Sequence, residues 1–253
     1  MTSINKKYNY GYHYSKYHKE DDSQAIKTIE NQQAFLNEYL SDSQKGNALD
    51  IGCGTGFTAL ALKRIGFDKV LGIDVDQGQV EASKRRGVDA YLVDDTISFL
   101  QQWRDGFSCI TMLDVLEHIQ VEEQLETMRA VYDSIRPGGR ILIQVPNATF
   151  ILASRWRYND FTHYGAFTEY SLHFLLENAG FSQIRIPPSK KIYRPSFWGM
   201  FGNRTKRVAF RQQLRRWLVR SIWIQVIRAE LPFEDASSIC FDPNLIATAS
   251  RPE

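Results

Sequence analysis

The 253-residue chain reads as a doubly wound α/β fold. Three observations predict it. First, Ala48, Leu49 and Ile51 form a short apolar run that stops at Gly52-Cys53-Gly54-Thr55-Gly56, and Phe57 to Ile65 continues as a helix. Strand, glycine turn and helix in that order bring backbone against a nucleotide-like ligand, and a Cβ there would hold the ligand off the main chain. Second, Val70 to Asp74 is a strand ending in an acid about 20 residues beyond the turn, where such folds place the carboxylate that takes ribose hydroxyls. Third, apolar strand-like runs and helical patterns alternate along the chain, as in a largely parallel sheet covered by helices on both faces.

Taken in order, residues 1–22 are polar and rich in tyrosine: Tyr8, Tyr10, Tyr12, Tyr14 and Tyr17, with His13 and His18. Nothing there repeats with a helical period. Residues 23–40 predict a helix, with Ile26, Ile29, Leu36, Tyr39 and Leu40 on one face. After the second strand, Gln77 to Arg86 is a helix closed by Gly87, and Ala90 to Val93 is a third strand running into Asp94-Asp95. Thr96 to Trp103 is the next helix, which either carboxylate can cap. Phe107 to Leu113 is a fourth, buried strand followed by Asp114-Val115-Leu116-Glu117-His118. Glu122 to Ile135 is a helix ended by Pro137-Gly138-Gly139, and Arg140 to Val145 is a fifth strand. Thr168 N-caps a helix with Leu172, Leu175, Leu176 and Ala179 on its apolar face and Gly180 at its end. Gln183 to Ile186 is a sixth strand and Asn244 to Ser250 a seventh.

Composition narrows the class. A hydrophobic fraction of 43% suits a globular domain, and no apolar run nears the roughly 18 residues of a membrane span. The N-terminus lacks the apolar stretch of a secretory signal. Cys53, Cys109 and Cys240 have no metal-binding spacing, and the last two lie in apolar runs as buried thiols; a reducing cytoplasm fits. The net charge of +2 is uneven: Lys190 to Arg228 holds eleven Lys or Arg and no acid, leaving 20 basic against 29 acidic residues elsewhere. Within 188–238, the stretch from Arg204 to Arg228 is helix-like, with Phe210, Leu214, Trp217, Ser221 and Ile224 near one face and Arg207, Arg211, Arg215, Arg216 and Arg220 over the others. Trp198, Trp217 and Trp223 add interfacial aromatics. Two readings stand: a cap over the site, or a contact through 190–228 with an anionic partner such as the inner face of a membrane or a lipid-linked acceptor. Nothing there resembles a base-reading motif, so no nucleic acid is expected.

The glycines fall as G-x-G-x-G after an acid, not as the dinucleotide G-x-G-x-x-G. D-x-G-C-G-T-G at 50–56 resembles motif I of class I S-adenosylmethionine-dependent methyltransferases. V-L-E-H at 115–118 and R-P-G-G at 136–139 are similar to that family's wording at the same places. The pattern D-x-T-H-x-x-x-F-T-x-x-S-L-x-x-L-L-x-x-A-G-F at 160–181 resembles a branch acting on small molecules, often sugars and polysaccharide intermediates. The resemblance covers about 45–187 and returns at the last strand. It implies a Rossmann-like seven-stranded sheet in the order 3-2-1-4-5-7-6, with the last strand antiparallel and a helical insertion before it. It implies one domain: a Tyr-rich lid or tail at 1–22, a cofactor-binding core at 23–187, the basic aromatic insertion at 188–238, and the final strand within 239–253. S-adenosylmethionine is the implied cofactor and S-adenosylhomocysteine the product. Its implied contacts are Asp50, Gly52, Cys53, Gly54 and Gly56 at the turn, Asp74 and Val75 after the second strand, Asp95 first and Asp94 by a one-residue slip at the adenine, and Leu113.

Methyl transfer to an oxygen of high pKa needs alignment and a general base. His163 is the first candidate, with Asp160 to hold its tautomer, and His118 the second, with Asp114 and Glu117 nearby. Each can instead order its loop. No metal site is expected; Asp114, Asp160 and His163 make one only if the fold brings them together. The expected function is O-methylation of a sugar, glycan or lipid-linked intermediate. The alternatives are an isoprenoid-quinone or other small-molecule methyltransferase, and a non-catalytic partner-binding module of the same fold. The sequence leaves the oligomeric state open.

Overall fold

A computed structural model describes residues 22–189, 203–231 and 239–253, together with positions 196, 201, 233 and 235. The Tyr-rich segment, with His13 and His18, lies outside the described residues, as do Lys190, Lys191, Arg194 and Trp198.

Helix α1 (Asp22–Leu40) leads into β1 (Asn47–Ile51), α2 (Phe57–Arg64) and β2 (Lys69–Asp74). Then come α3 (Gln77–Arg85), β3 (Asp89–Leu92), α4 (Thr96–Gln101) and β4 (Phe107–Leu113). A single 3₁₀ turn (Leu116–His118) separates β4 from α5 (Val121–Ser134), which runs straight into β5 (Ile135–Pro146). The chain continues through α6 (Ala153–Asn159), α7 (Glu169–Asn178), β6 (Ser182–Arg185), α8 (Arg204–Glu230) and β7 (Asn244–Ser250). The strands form one sheet in the order β3-β2-β1-β4-β5-β7-β6, as expected. β1 pairs parallel with β2 and β4, β4 with β5, and β7 antiparallel with β5 and β6.

The period-two alternation of strand side chains builds two cores. Leu49, Ile51, Leu71, Ile73, Ile110, Met112, Ile141 and Ile143 point to one face, where Leu100 of α4, Met128 and Val131 of α5, and Leu172 and Leu176 of α7 cover them. Ala48, Val70, Ala90, Cys109 and Leu142 point to the other, under Leu36 and Leu40 of α1, Ala59 and Leu62 of α2, and Val80 of α3. Most of these side chains are fully buried, and each contributes about 1.5–3 kcal/mol where it is large and aliphatic.

Three local expectations change. The fifth strand starts at Ile135, not Arg140: Ile135 pairs with Phe107, a register shift accommodates the Pro-Gly-Gly segment, and pairing resumes at Cys109 and Arg140. Gly138 takes φ +75°, and a Cβ on Gly139 would stand 2.6 Å from Ile135 Cγ2, so this irregular stretch needs its glycines. α6 has no forecast in the sequence, because its seven residues are too few to show a period. Cys240 is buried as expected but lies ahead of β7, not in a strand.

The segment after β5 folds back across the strand ends. Asn147, 1% exposed, donates from Nδ2 to the carbonyls of Cys240 and Asp242, while its Oδ1 accepts from Thr149 N–H. Ala148 N–H donates to Phe167 O, and Phe167 N–H to Pro146 O. The loop carrying residues 160–166 is thereby strapped to the carboxyl end of β5. α8 docks through Trp223, Ile224 and Ile227 onto Ile239 and Phe241. Trp223 Nε1–H donates to Thr149 O at 3.0 Å, and Arg220 lies over the Phe241 ring.

Candidate active site

Because β1, β2, β4 and β5 run parallel, the loops at their carboxyl ends share one edge of the sheet. The glycine turn sits at its centre. Gly52 and Cys53 N–H both donate to Ile73 O, at 2.8 and 3.0 Å. Gly52 has φ +69° and Gly56 φ +91°. A Cβ on Gly52 would come within 2.4 Å of Val115 Cγ2, and one on Gly56 within 2.5 Å of Ser83 Oγ. The loop after β4 therefore packs directly on the turn, and only glycine fits either contact. Gly54 differs: its Cβ position meets only Gln79 Oε1, at an ordinary 3.8 Å, so its backbone is less crowded than that of the other two. That is a cradle for a ligand at the head of α2.

Asp74 closes the cradle. Its Oδ2 accepts from Gly54 N–H and its Oδ1 from Asp76 N–H, both at 2.9 Å. Burial raises its pKa, against the pull of these two amides. Val75 beside it and Leu113 at the end of β4 are half-buried. Asp50 lies beneath the turn, 2% exposed, and accepts from Thr111 Oγ–H at 2.7 Å. Burial pushes its carboxyl up to about 7, the Thr111 bond opposing. Cys53 is buried, and burial raises its thiol pKa, so it is an inert packing group. Of the two third-strand acids, Asp95 caps α4: Oδ1 accepts from Ser98 N–H and Oδ2 from Ser98 Oγ–H. Those bonds hold it below the usual carboxylate range. Asp94 is exposed.

The second cluster is built by β4 and the strapped loop. Asp114 adopts φ +57°, tolerable for aspartate and typical of functional turns. Its Oδ2 accepts from Gln144 Nε2–H at 2.9 Å. Its edge is open to solvent but protein walls the other sides, which raises its pKa. Tyr164 N–H donates to Glu117 O at 2.7 Å and brings the loop over the 3₁₀ turn. As a result the His118 and His163 rings meet edge-on, centroids 4.6 Å apart. The sequence pairs Asp160 with His163; the structure links it to His118 instead. Thr162 N–H and Oγ–H both donate to Asp160 Oδ1, at 2.8 and 2.6 Å. Thr162 Oγ lies 2.8 Å from His118 Nδ1. The hydroxyl proton being committed to Asp160, Nδ1–H of His118 donates to Thr162 Oγ, and Nε2 keeps its lone pair. Burial first, and His163 second, bring the His118 pKa down to about 4, with Asp160 opposing. Partial burial opposes ionisation of Asp160, but the bonds from Thr162 outweigh it and its pKa is lowered.

Two members of this site show their part only in the structure. Thr162 stands in the quoted pattern but shows its part only once its hydroxyl is seen between Asp160 and His118. Glu117, placed beside His118 by the sequence, shows its burial only in the structure: it is 1% exposed, with a pKa raised well above normal by burial and by Asp114. Glu117, His118 and His163, a different trio from the one considered in the sequence, have donor atoms within 4.8 Å of one another.

Comparison with known proteins agrees with this architecture. The crystal structure of a SAM dependent methyltransferase from Archaeoglobus fulgidus superposes with a TM-score of 0.67 at 19% identity, covering 96% of this chain and 100% of that one. Phosphoethanolamine N-methyltransferase 2 of Haemonchus contortus, in complex with S-adenosyl-L-methionine, gives a TM-score of 0.56 at 17% identity over 88% of this chain and 53% of that one. These likenesses are of fold. Among curated proteins, the ubiquinone biosynthesis O-methyltransferase of Rickettsia felis is 30% identical over 118 residues, 45% of this chain and 47% of its own. The ribosomal protein L11 methyltransferase of Thermotoga maritima is 31% identical over 94 residues, 35% of this chain and 33% of its own. The chain thus spans a third to a half of the curated relatives it matches. A family model described as a methyltransferase domain matches residues 23–185. With the glycine turn, the acid at Asp74 and the sheet order in place, the chain belongs to the methyltransferase-domain family.

Proposed function

We propose that the enzyme methylates a hydroxyl oxygen of a small acceptor, in the first reading a sugar or glycan intermediate, and that a histidine at the mouth of β4 receives the hydroxyl proton. The observation supporting this is the chain Asp160–Thr162–His118, which orients an imidazole one turn from Val115, the residue packed against the glycine turn.

S-adenosylmethionine, when bound, supplies a methyl group already activated by its sulfonium. In this reading Gly52, Cys53, Gly54 and Gly56 hold its methionyl part, with Asp50 supporting the turn from beneath. Asp74 takes the ribose hydroxyls, Val75 and Leu113 flank the cradle, and Asp94 meets the adenine because Asp95 is engaged as a helix cap. The protein's own task is to align the acceptor and accept its proton. His118 is neutral at physiological pH and offers Nε2; His163 stands edge-on beside it as a second imidazole. Asp160, through Thr162, stabilises the imidazolium that forms. His118 thereby becomes the first choice of base and His163 the second.

The test is a pair of variants. His118→Ala should lower turnover by about 10²–10⁴, the usual contribution of a general base, with cofactor affinity within a few-fold of the parent. If His163→Ala is the crippled variant, the two roles exchange. If neither loses more than threefold, the acceptor atom is not a hydroxyl that needs a base.

A second acceptor, an isoprenoid quinol, is supported by the likeness to the ubiquinone biosynthesis O-methyltransferase of Rickettsia felis and by α8. The helix leaves Val208, Leu218, Val219, Ile222 and Val226 exposed beside its arginines, and we propose that this side lies on an anionic membrane surface. Offering sugar and quinol head groups and locating the new methyl by mass spectrometry separates the two acceptors.

A further inference from the structure

The cluster above β4 holds more than a base requires. Glu117, His118 and His163 each present one donor atom, all within 4.8 Å of one another. Glu117 is 1% exposed, and its Oε2 is buried without a hydrogen-bond partner. A buried carboxylate oxygen left so is costly, and in native structures it calls for a ligand, water or ion.

We propose that Glu117, His118 and His163 bind one divalent transition-metal ion of the zinc, manganese or cobalt kind. Two imidazole nitrogens and one carboxylate oxygen form the donor set that suits these ions, whereas calcium and magnesium favour all-oxygen shells. Bonds of about 2.0–2.2 Å to such an ion place neighbouring donors roughly 3–4 Å apart, within small rotations of the present geometry. His118 already has the support a ligand needs: Nδ1–H donates to Thr162 Oγ, which in turn donates to Asp160. That hydrogen bond fixes the tautomer, as around metal-binding histidines generally. Three protein donors leave coordination positions for a substrate oxygen, as in catalytic sites and unlike closed structural ones.

The inference keeps the oxygen acceptor of the proposed function and replaces its histidine base with the ion, and its chemical consequence rests on that choice of acceptor. A hydroxyl bound to the ion, with a neighbouring oxygen as second ligand, becomes acidic enough to ionise near neutral pH. Its proton passes to solvent, and the imidazoles remain ligands in place of one serving as base. The fitting acceptor is a vicinal diol or a catechol-like pair of oxygens.

The experiment uses the full chain, freed of ions by dialysis against a chelator, without any acceptor. Cobalt(II) is titrated with visible absorption as the readout, and zinc by calorimetry. One ion per chain should bind with a dissociation constant in the micromolar range or below, developing the bands of a four- or five-coordinate cobalt centre. Glu117→Gln, nearly isosteric, and His163→Ala, on a half-buried loop, should each weaken binding at least tenfold. Circular dichroism and retained S-adenosylmethionine binding confirm that these variants are folded. A His13→Ala/His18→Ala variant should bind cobalt like the parent. Absence of saturable binding below millimolar cobalt overturns the proposal. So does equal binding by Glu117→Gln and His163→Ala, or loss of binding in the His13/His18 variant alone. Ion binding without any oxygen-directed transfer would leave this site standing and sink the proposed function instead.

Discussion

Asp74 ties the glycine turn to the end of β2 and, in the proposed function, takes the ribose hydroxyls. Two backbone amides already hold its carboxylate, one of them from Gly54 in the glycine turn. Each oxygen keeps a lone pair for a ribose hydroxyl. Asp74→Ala removes those charge-assisted bonds, worth roughly 1.5–3 kcal/mol each, and calorimetry should record at least a tenfold loss of S-adenosylmethionine affinity. Unchanged affinity would place the ribose elsewhere. Thr162 is the other instructive residue. Thr162→Val keeps the shape but leaves Asp160 without its hydroxyl donor and His118 Nδ1 without its acceptor. We expect turnover to fall about tenfold or more while cofactor affinity stays within twofold; equal losses in both would mean that Thr162 only shapes the loop.

Among the elements, α7 and α8 differ in what holds them. α7 is pinned by its cap and its core face. Thr168 Oγ accepts from Ser171 N–H, and Ser171 Oγ accepts from Thr168 N–H; Leu172 and Leu176 are fully buried. Thr168→Ala should cost about 1 kcal/mol, read as a lowered thermal midpoint with cofactor affinity unchanged. α8 is 27 residues long, yet only Ile227 on it is buried. Its helical face at Phe210, Leu214, Trp217, Ser221 and Ile224 is half-buried, as the sequence pattern anticipates. The exposed side combines apolar residues with Arg204, Arg207, Arg211, Arg215 and Arg216, and each arginine near an anionic bilayer contributes about 1 kcal/mol. Sedimentation with anionic liposomes should therefore carry the protein down at low salt and release it at high salt. Arg211→Ala, Arg215→Ala and Arg216→Ala together should abolish the effect. Protein that stays in the supernatant at low salt refutes the membrane contact.

At the scale of the whole molecule, burying an ionisable group under the cofactor turn links stability to pH. Asp50 has an ordinary pKa of 3.8 and a folded value of about 7. The folded chain therefore binds more protons than the unfolded chain between these values, and this residue's contribution to stability falls as pH rises through that window. Above about pH 7 the penalty is complete and constant. Asp50→Asn retains an oxygen for the Thr111 hydroxyl and cannot ionise. Relative to the parent, it should gain stability from pH 4 to pH 7, by a few kcal/mol at most, and hold a constant advantage above. Denaturant melts across this range check it; parallel pH profiles for the two proteins would show that Asp50 is not strained by its burial.

What the sequence determined by itself was whatever rests on short-range periodicity. Alternating apolar runs specified the strands, helical spacing the helices they meet, and the glycine pattern the tight turn bonded to Asp74, because backbone chemistry there depends on a few adjacent residues. The sheet order was legible through the family likeness. Tertiary structure alone decided the rest. It linked the Asp160 carboxylate to His118 through Thr162, since the strap from Asn147 and Phe167 folds the loop back over the 3₁₀ turn. It started β5 at Ile135, because pairing with Phe107 outweighed the Pro-Gly-Gly signal. It also gathered Glu117, His118 and His163, which lie on two loops 45 residues apart and become neighbours only when β4 and β5 lie side by side.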